Sequence, residues 1–257
     1  YSSSSGQIIP PEIGQLINLT TIDLRYGELI GEIPPEIGNL INLETIDMDC
    51  NYLSGEIPPE IGQLINLRDL RISSWNQLTG EIPPEFWNLT SLEYLQLSDN
   101  NLTGEVSSEI DNLINLETIY LYNNQLSGEI PSEIGNMTNL NTLNLDHNNI
   151  SGEIPPEILN HIFQLNVVNN QLSGYIPDEI CNITHRDLNQ NQFCPPYPNC
   201  LTSEQVLPQN TEECEQSLCN EETEVELWGW CYNIQETTIL DPSESSTNGQ
   251  MIPPEIG

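Results

Sequence analysis

The stretch from Leu89 to Leu113 reads LTSLEYLQLSDNNLTGEVSSEIDNL. Leu92, Leu95 and Leu97 stand in a Leu-x-x-Leu-x-Leu pattern, and Asn100 and Leu102 follow at fixed offsets. The same frame recurs at Leu43, Ile46, Met48, Asn51 and Leu53, and again at Leu116, Ile119, Leu121, Asn124 and Leu126. A glycine marks each unit: Gly6, Gly31, Gly55, Gly80, Gly104, Gly128, Gly152 and Gly174, at steps of 25, 24, 25, 24, 24, 24 and 22 residues. Self-similarity at a fixed period of this length is the signature of a repeat architecture.

Each unit has a direct physical reading. Leu-x-Leu alternation has period 2, which makes a short strand with its apolar side chains inward. The Asn turns the chain out of the strand, and its amide can bond backbone groups of neighbouring turns, so stacked units give an Asn ladder. Pro-Pro-Glu-Ile-Gly cannot extend a helix, because Pro lacks the donor and Gly weakens the turn, so a short helical turn is expected there. One unit cannot bury its own leucines but a stack can, and the expected fold is an α/β-type repeat solenoid.

The phrase LxxLxxLxLxxNxLxGxIPxxIGxL, which Leu89 to Leu113 approaches, resembles the plant-type 24-residue leucine-rich repeat. That family includes receptor-kinase ectodomains, polygalacturonase inhibitors and secreted bacterial proteins. The resemblance covers roughly residues 6 to 193 and implies a curved right-handed stack. A parallel sheet would line its concave side, with short helical turns and a second short sheet near Gly-x-Ile-Pro on the convex side. Binding of a partner is the family's usual role, although the family's ligands are unrelated to one another.

Three departures from the repeat carry structural expectations. Ser73, Ser74 and Trp75 before Asn76 make one unit a residue longer, which should bulge the strand exit. The unit from Ile158 to Leu165 is two residues short and should tighten its outer turn. Gly27 stands where the first ladder Asn belongs and weakens that rung.

The organisation along the chain reads as four parts. Residues 1–193 are one array of about eight repeats that lacks its first cap, and residues 194–214, opening on CPPYPNC, are a Cys/Pro-rich C-terminal cap. Residues 215–226 are an acidic linker. Residues 227–257 read as the cap and first half-repeat of a second array, because Gly-Gln-Met-Ile-Pro-Pro-Glu-Ile-Gly near the end parallels Gly-Gln-Ile-Ile-Pro-Pro-Glu-Ile-Gly from Gly6. The chain thus reads as part of a string of capped arrays. Among the cysteines, Cys181, Cys194, Cys200 and Cys214 cluster at the array's end with their connectivity open. Cys219 and Cys231 are expected to pair, and Cys50 is left as a free thiol. Cysteines confined to caps imply an oxidising compartment and a secreted or cell-surface protein. The alternative, a metal site, lacks a Cys-x-x-Cys pair and a nearby His.

Charge excludes several function classes. Four Lys+Arg stand against 39 Asp+Glu, a net charge of −35, and no Lys occurs. Such a chain cannot neutralise phosphates, so nucleic-acid binding is excluded, as is docking on anionic lipid. No run of 18 apolar residues exists to insert into a membrane. The acids form columns, one of them Glu12, Glu36, Glu60, Glu85, Glu109, Glu133, Glu157 and Glu179, and another Glu32, Glu56, Glu81, Glu105, Glu129 and Glu153. They read as a solubilising surface, or as adaptation to saline or divalent-rich surroundings with weak divalent-cation binding to the columns.

No catalytic motif is present: Gly-x-Ser-x-Gly, a phosphate loop and His-Glu-x-x-His are all missing, so neither enzyme activity nor a cofactor is expected. Binding is the better expectation, since the apolar frame repeats while the outward strand positions vary. Arg71, Trp75, Tyr94, Gln96, Tyr120, Tyr122, Asn144 and Asp146 fall on neighbouring parts of one outward surface. Tyr, Trp and Arg are the residue types enriched in interface hot spots. Asp23, Asp47 and Asp49 form an acidic neighbour to them that could hold a cation. The expectation is a non-catalytic extracellular recognition module for a protein or glycan. A structural spacer or adhesin stalk is the alternative. Ice or mineral binding is the weakest, because Asp69 and Tyr94 interrupt the column Thr21, Thr45, Thr118, Thr142.

Overall fold

The computed structural model describes residues 6–211, Cys214 and the backbone of the strands Glu224–Leu227 and Trp230–Asn233. Each Leu-x-Leu becomes a three-residue strand, and eight such strands pair in parallel, in sequence order, from Thr21–Asp23 to His185–Asp187. Register is strict. Tyr94 pairs with Asp69 before it and Thr118 after it, while Gln96 pairs with Arg71 and Tyr120. The middle residue of each strand from Ile22 to Leu165 is buried and its flanking pair points outward.

Pro-Pro-Glu-Ile-Gly gives a five-residue 3-10 turn in unit after unit, as at Pro35–Asn39 and Pro59–Gln63, with Pro at the start where no donor is needed. Its Ile is buried, and the following Leu closes the turn, as where Leu40 N–H bonds Ile37 O. Gly31, Gly55, Gly80, Gly104, Gly128, Gly152 and Gly174 have φ of 73–79°. From Gly55 onward each is also crossed by the preceding coil's Glu stem; a Cβ on Gly55 would lie 2.7 Å from Glu32 Cγ. The position therefore demands Gly twice over. Around it a second set of parallel strands forms two three-stranded sheets, joined through the middle coils by single bridges such as Glu105–Ser127. Together these make the curved leucine-rich-repeat solenoid.

Inside the coils, behind the eight-stranded sheet, the leucines, isoleucines and Phe86, Trp87 and Phe193 form one continuous core. The Asn ladder runs beside it. Asn100 Nδ2 donates to Ile72 O at 2.7 Å and Leu97 O at 3.2 Å, and its Oδ1 accepts from Leu78 N at 3.0 Å. Asn51, Asn76, Asn124, Asn148, Asn170 and Asn191 repeat this pattern, each accepting from the coil before it, so Leu29 N bonds Asn51 in the ordinary way while Gly27 itself supplies no rung.

The irregular units behave as their lengths require. Most strand exits hold one residue at positive φ, such as Asp99 or Asn123, but the longer unit holds two, Ser74 and Trp75. In the short unit His161 ends the 3-10 turn without the closing N–H bond made elsewhere, and Ile162 alone is buried where the middle units bury two apolar residues, such as Leu89 and Leu92. Beyond the last coil, residues 195–211 fold over the exposed core. Leu188 N–H bonds Gln205 O, Gln190 N–H bonds Pro208 O, and Val206 is buried. Disulfides Cys181–Cys200 and Cys194–Cys214 fasten this segment. Glu224–Leu227 and Trp230–Asn233 pair as an antiparallel hairpin, so the boundary expected between residues 226 and 227 falls within a strand. The expected Cys219–Cys231 pair and the repeat from residue 234 onward lie outside the described residues.

Candidate functional site

On the outward face of the eight-stranded sheet, period-2 geometry places Asp69 and Arg71 side by side on one strand. The Arg71 guanidinium is held bidentately by Asp69, with both N–O distances 2.8 Å. Arg71 Cζ lies 4.3 Å from the centre of the Tyr94 ring on the next strand. Tyr94 OH donates to Gln96 Oε1 and Gln96 Nε2 donates to Ser73 Oγ, each at 2.8 Å. Tyr94 meets Tyr120 edge-to-face at 5.9 Å, and Tyr120 meets Tyr122 at 6.2 Å in the same way. Burial pushes the Tyr94 hydroxyl up to about 12, so it stays protonated and keeps its hydrogen bond. The Asp69 bond holds the Arg71 guanidinium firmly charged.

Asn144 and Asp146 continue the same two columns on the following strand. Asn144 Oδ1 accepts from Asp146 N at 3.0 Å, and Asp146 Oδ1 accepts from Val168 N at 2.7 Å. Burial raises the Asp146 carboxyl to about 6, against the partial offset of the Val168 N–H bond. Trp75, at the bulged exit, is 65% exposed and makes no ring contact with the tyrosines. The structure thus joins Arg71, Tyr94, Gln96, Tyr120 and Tyr122 in one connected surface, with Asn144 and Asp146 adjoining it and Trp75 apart.

Ser73 stands in an outward column of the sequence but is fully buried beneath this surface, and Asp69 was not legible as a member of it from residue type. Asp69 interrupts a Thr column and Ser73 lies in an overlong unit, yet the Asp-x-Arg spacing on a strand was the available signal. Beside the first outward column, an open polar groove of about 350 Å³ is lined by Glu44, Asn66, Arg68, Ser91, Glu93 and Asn115, and Arg68 is clamped to Glu93 across it. Asp23 and Asp47 are engaged by Arg25, at 2.8 and 3.3 Å, and Asp49 Oδ1 accepts Ser73 N at 2.6 Å. No metal-holding group of three or more His, Cys, Asp or Glu occurs among the described residues. Cys50 is an unpaired, half-exposed thiol.

Family comparison agrees with this architecture. A leucine-rich repeat region matches residues 2–126, a two-copy leucine-rich repeat matches 114–161, and a further leucine-rich repeat matches 161–183. The chain belongs to the leucine-rich-repeat family. Among solved structures, this leucine-rich-repeat chain is similar to the plant peptide hormone receptor RGFR1 in complex with RGF2. Identity there is 36% and the TM-score 0.73, over 76% of this chain and 32% of the receptor chain. It is also similar to the Arabidopsis receptor kinase HAESA ectodomain in complex with an IDA peptide hormone, at 32% identity and TM-score 0.72, over 79% and 35%. A plant ice-binding protein matches at 26% identity and TM-score 0.61, over 80% of this chain and 79% of that one. The chain spans about a third of the length of the two receptor chains. No curated protein matches it.

Proposed function

We propose that the chain is an extracellular, non-catalytic recognition module that binds a peptide or protein on the tyrosine-bearing concave face. One observation carries this reading: Arg71, Tyr94, Tyr120 and Tyr122 form a connected aromatic surface held rigid from beneath by the parallel sheet. Tyrosines fixed in this way give large amphipathic contact area at low entropic cost. The fold similarity to hormone-bound receptor ectodomains supports it. The two disulfides suit an oxidising compartment, hence a secreted or surface-anchored protein.

The test is a crosslinking capture from cell-surface and culture extracts with the parent chain and a Trp75→Ser/Tyr94→Ser/Tyr120→Ser/Tyr122→Ser variant. A protein partner retained by the parent and lost by the variant supports the reading. Equal capture by both, or none by either, leaves a structural spacer as the better account, and a captured polysaccharide shifts the ligand to a glycan.

A second reading, adsorption to ice, is favoured by a different surface. Ile17, Ile41, Ile65, Thr90, Ile114 and Thr138 form one exposed row of β-branched side chains. Asn42, Asn66, Asn115 and Asn139 stitch its backbone, donating to the carbonyls of Ile17, Ile41, Thr90 and Ile114 at 2.8–2.9 Å. The similarity to an ice-binding protein over most of both chains supports this row. Ice recrystallisation that proceeds unchanged in the protein's presence would remove it.

A further inference from the structure

Resting on the concave-face reading, we infer that the ligand is a cationic peptide, with lysine or arginine side chains lying against the half-buried tyrosine rings and beside the carboxylates that flank them. The first argument is an account of every basic side chain. The chain has four Lys+Arg, all arginine. Arg25 is bound by Asp23 and Asp47, Arg68 by Glu93, and Arg71 by Asp69 and the Tyr94 ring. Arg186 donates inward to the carbonyls of Ile183 and Cys200. Of the histidines, His147 is bonded to Asn169, His185 meets Phe163 edge-to-face, and burial holds His161 towards its neutral form. Among the described residues, an arriving carboxylate, sulfate or phosphate therefore meets no guanidinium that is not already engaged.

The second argument is what the tyrosine surface still offers. Tyr94, Tyr120 and Tyr122 are half-buried and packed edge-to-face, and the faces of such rings attract cations, as Tyr94 already attracts Arg71. Tyr122 and Asp146 occupy one column on adjacent strands, about 4.8 Å apart at the backbone. Asp146 Oδ1 accepts from Val168 N, and with Asn144 also in contact the carboxylate still has lone-pair capacity for a further donor. Along the strand exits Asp99 adds a carboxylate, bridged to Asn123 at 2.7 Å. A lysine or arginine here would meet a ring face on one side and a carboxylate oxygen on the other, and the −35 field would speed its approach. A peptide fits better than a small cation, since the tyrosines span two strands and reach toward a third, farther than one ammonium extends.

The experiment selects a random decapeptide phage library on the whole chain at 150 mM NaCl. Clones are then sorted by loss of binding to a Tyr120→Ser/Asp146→Asn variant whose melting temperature matches the parent. A Glu109→Gln/Glu133→Gln variant, altered on the outer turns, serves as a charge control. The expected result is a set of clones lost on the concave variant, kept on the control, and enriched at least twofold in Lys and Arg over the input. Concave-dependent clones without that enrichment overturn the cationic inference and leave the concave reading standing. Cationic clones that bind all three proteins alike show diffuse attraction to an acidic surface and overturn both. Recovery of no concave-dependent clone overturns the inference, and the crosslinking capture then decides the concave reading separately.

Discussion

Asn100 shows how much one side chain can hold. It is buried, its amide nitrogen serves carbonyls of two coils, and its oxygen is the sole acceptor for Leu78 N. Asn100→Ala would strand a buried donor and a buried acceptor, at about 1–3 kcal/mol for each group. We expect urea melts to show a loss of about 2–4 kcal/mol, while Asn101→Ala, one exposed residue along, stays within about 0.5 kcal/mol. Asp146 makes a prediction of opposite character. Its folded carboxyl titrates near 6 because burial disfavours the charge, above the ordinary 3.8. Between these values the folded state holds the proton more tightly than the unfolded chain, so stability falls as pH rises. The destabilisation is absent below about 3.8 and complete above about 6. Asp47 shifts the same way, again through burial, so the informative quantity is a difference. Asp146→Asn keeps an acceptor for Val168 N, and its melting temperature should fall less between pH 4 and pH 7 than the parent's. Parallel curves would mean that Asp146 is hydrated enough to ionise freely.

At the scale of elements, coils depend on their neighbours, and the last coil depends on its cap. Arg186 stands at the middle of its strand, in register with buried Leu165, where the period-2 pattern calls for an apolar residue. It works there because the cap brings the Cys200 carbonyl to it at 2.8 Å. Nothing local in the sequence could signal that acceptor. The cysteine pairing was illegible for the same reason: Cys181–Cys200 and Cys194–Cys214 interleave, and only the fold of the intervening turn chooses among the possibilities. By contrast, Leu95, Leu97 and Asn100 were legible because their roles follow from spacing alone. The bulge at Ser74 and Trp75 was legible as one residue too many. Cys194→Ser/Cys214→Ser should cost about 2–4 kcal/mol, from the freed loop. In hydrogen exchange the Leu188 and Gln190 amides, bonded to the cap, should lose protection while Leu121 and Leu145 keep theirs, as nearest-neighbour stability requires. Uniform loss along the whole array would mean that the stack melts as one unit.

Across the whole molecule an unfavourable quantity that the repeat itself builds in is charge. The Glu columns are not free to splay, since the stems of Glu32, Glu56, Glu81, Glu105, Glu129 and Glu153 lie over the glycines of the next coil. Carboxylates held about 4.8 Å apart repel by roughly 0.9 kcal/mol per pair in water. Unfolding relaxes that repulsion, because the chain expands and the columns disperse. Salt has the same effect without unfolding: the Debye length falls from about 30 Å at 0.01 M to about 3 Å at 1 M. We therefore expect the melting temperature to rise by at least about 5 °C between these NaCl concentrations, the shift that screening about 2 kcal/mol gives a chain of this size. Glu105→Gln/Glu129→Gln/Glu153→Gln isolates that column from general salt effects. It should melt higher than the parent at low salt and converge with it at 1 M NaCl. An equal rise in both proteins would assign the stabilisation to apolar burial, which salt also strengthens, and would leave the acid columns as a solvated surface that neither gains nor loses from its regularity.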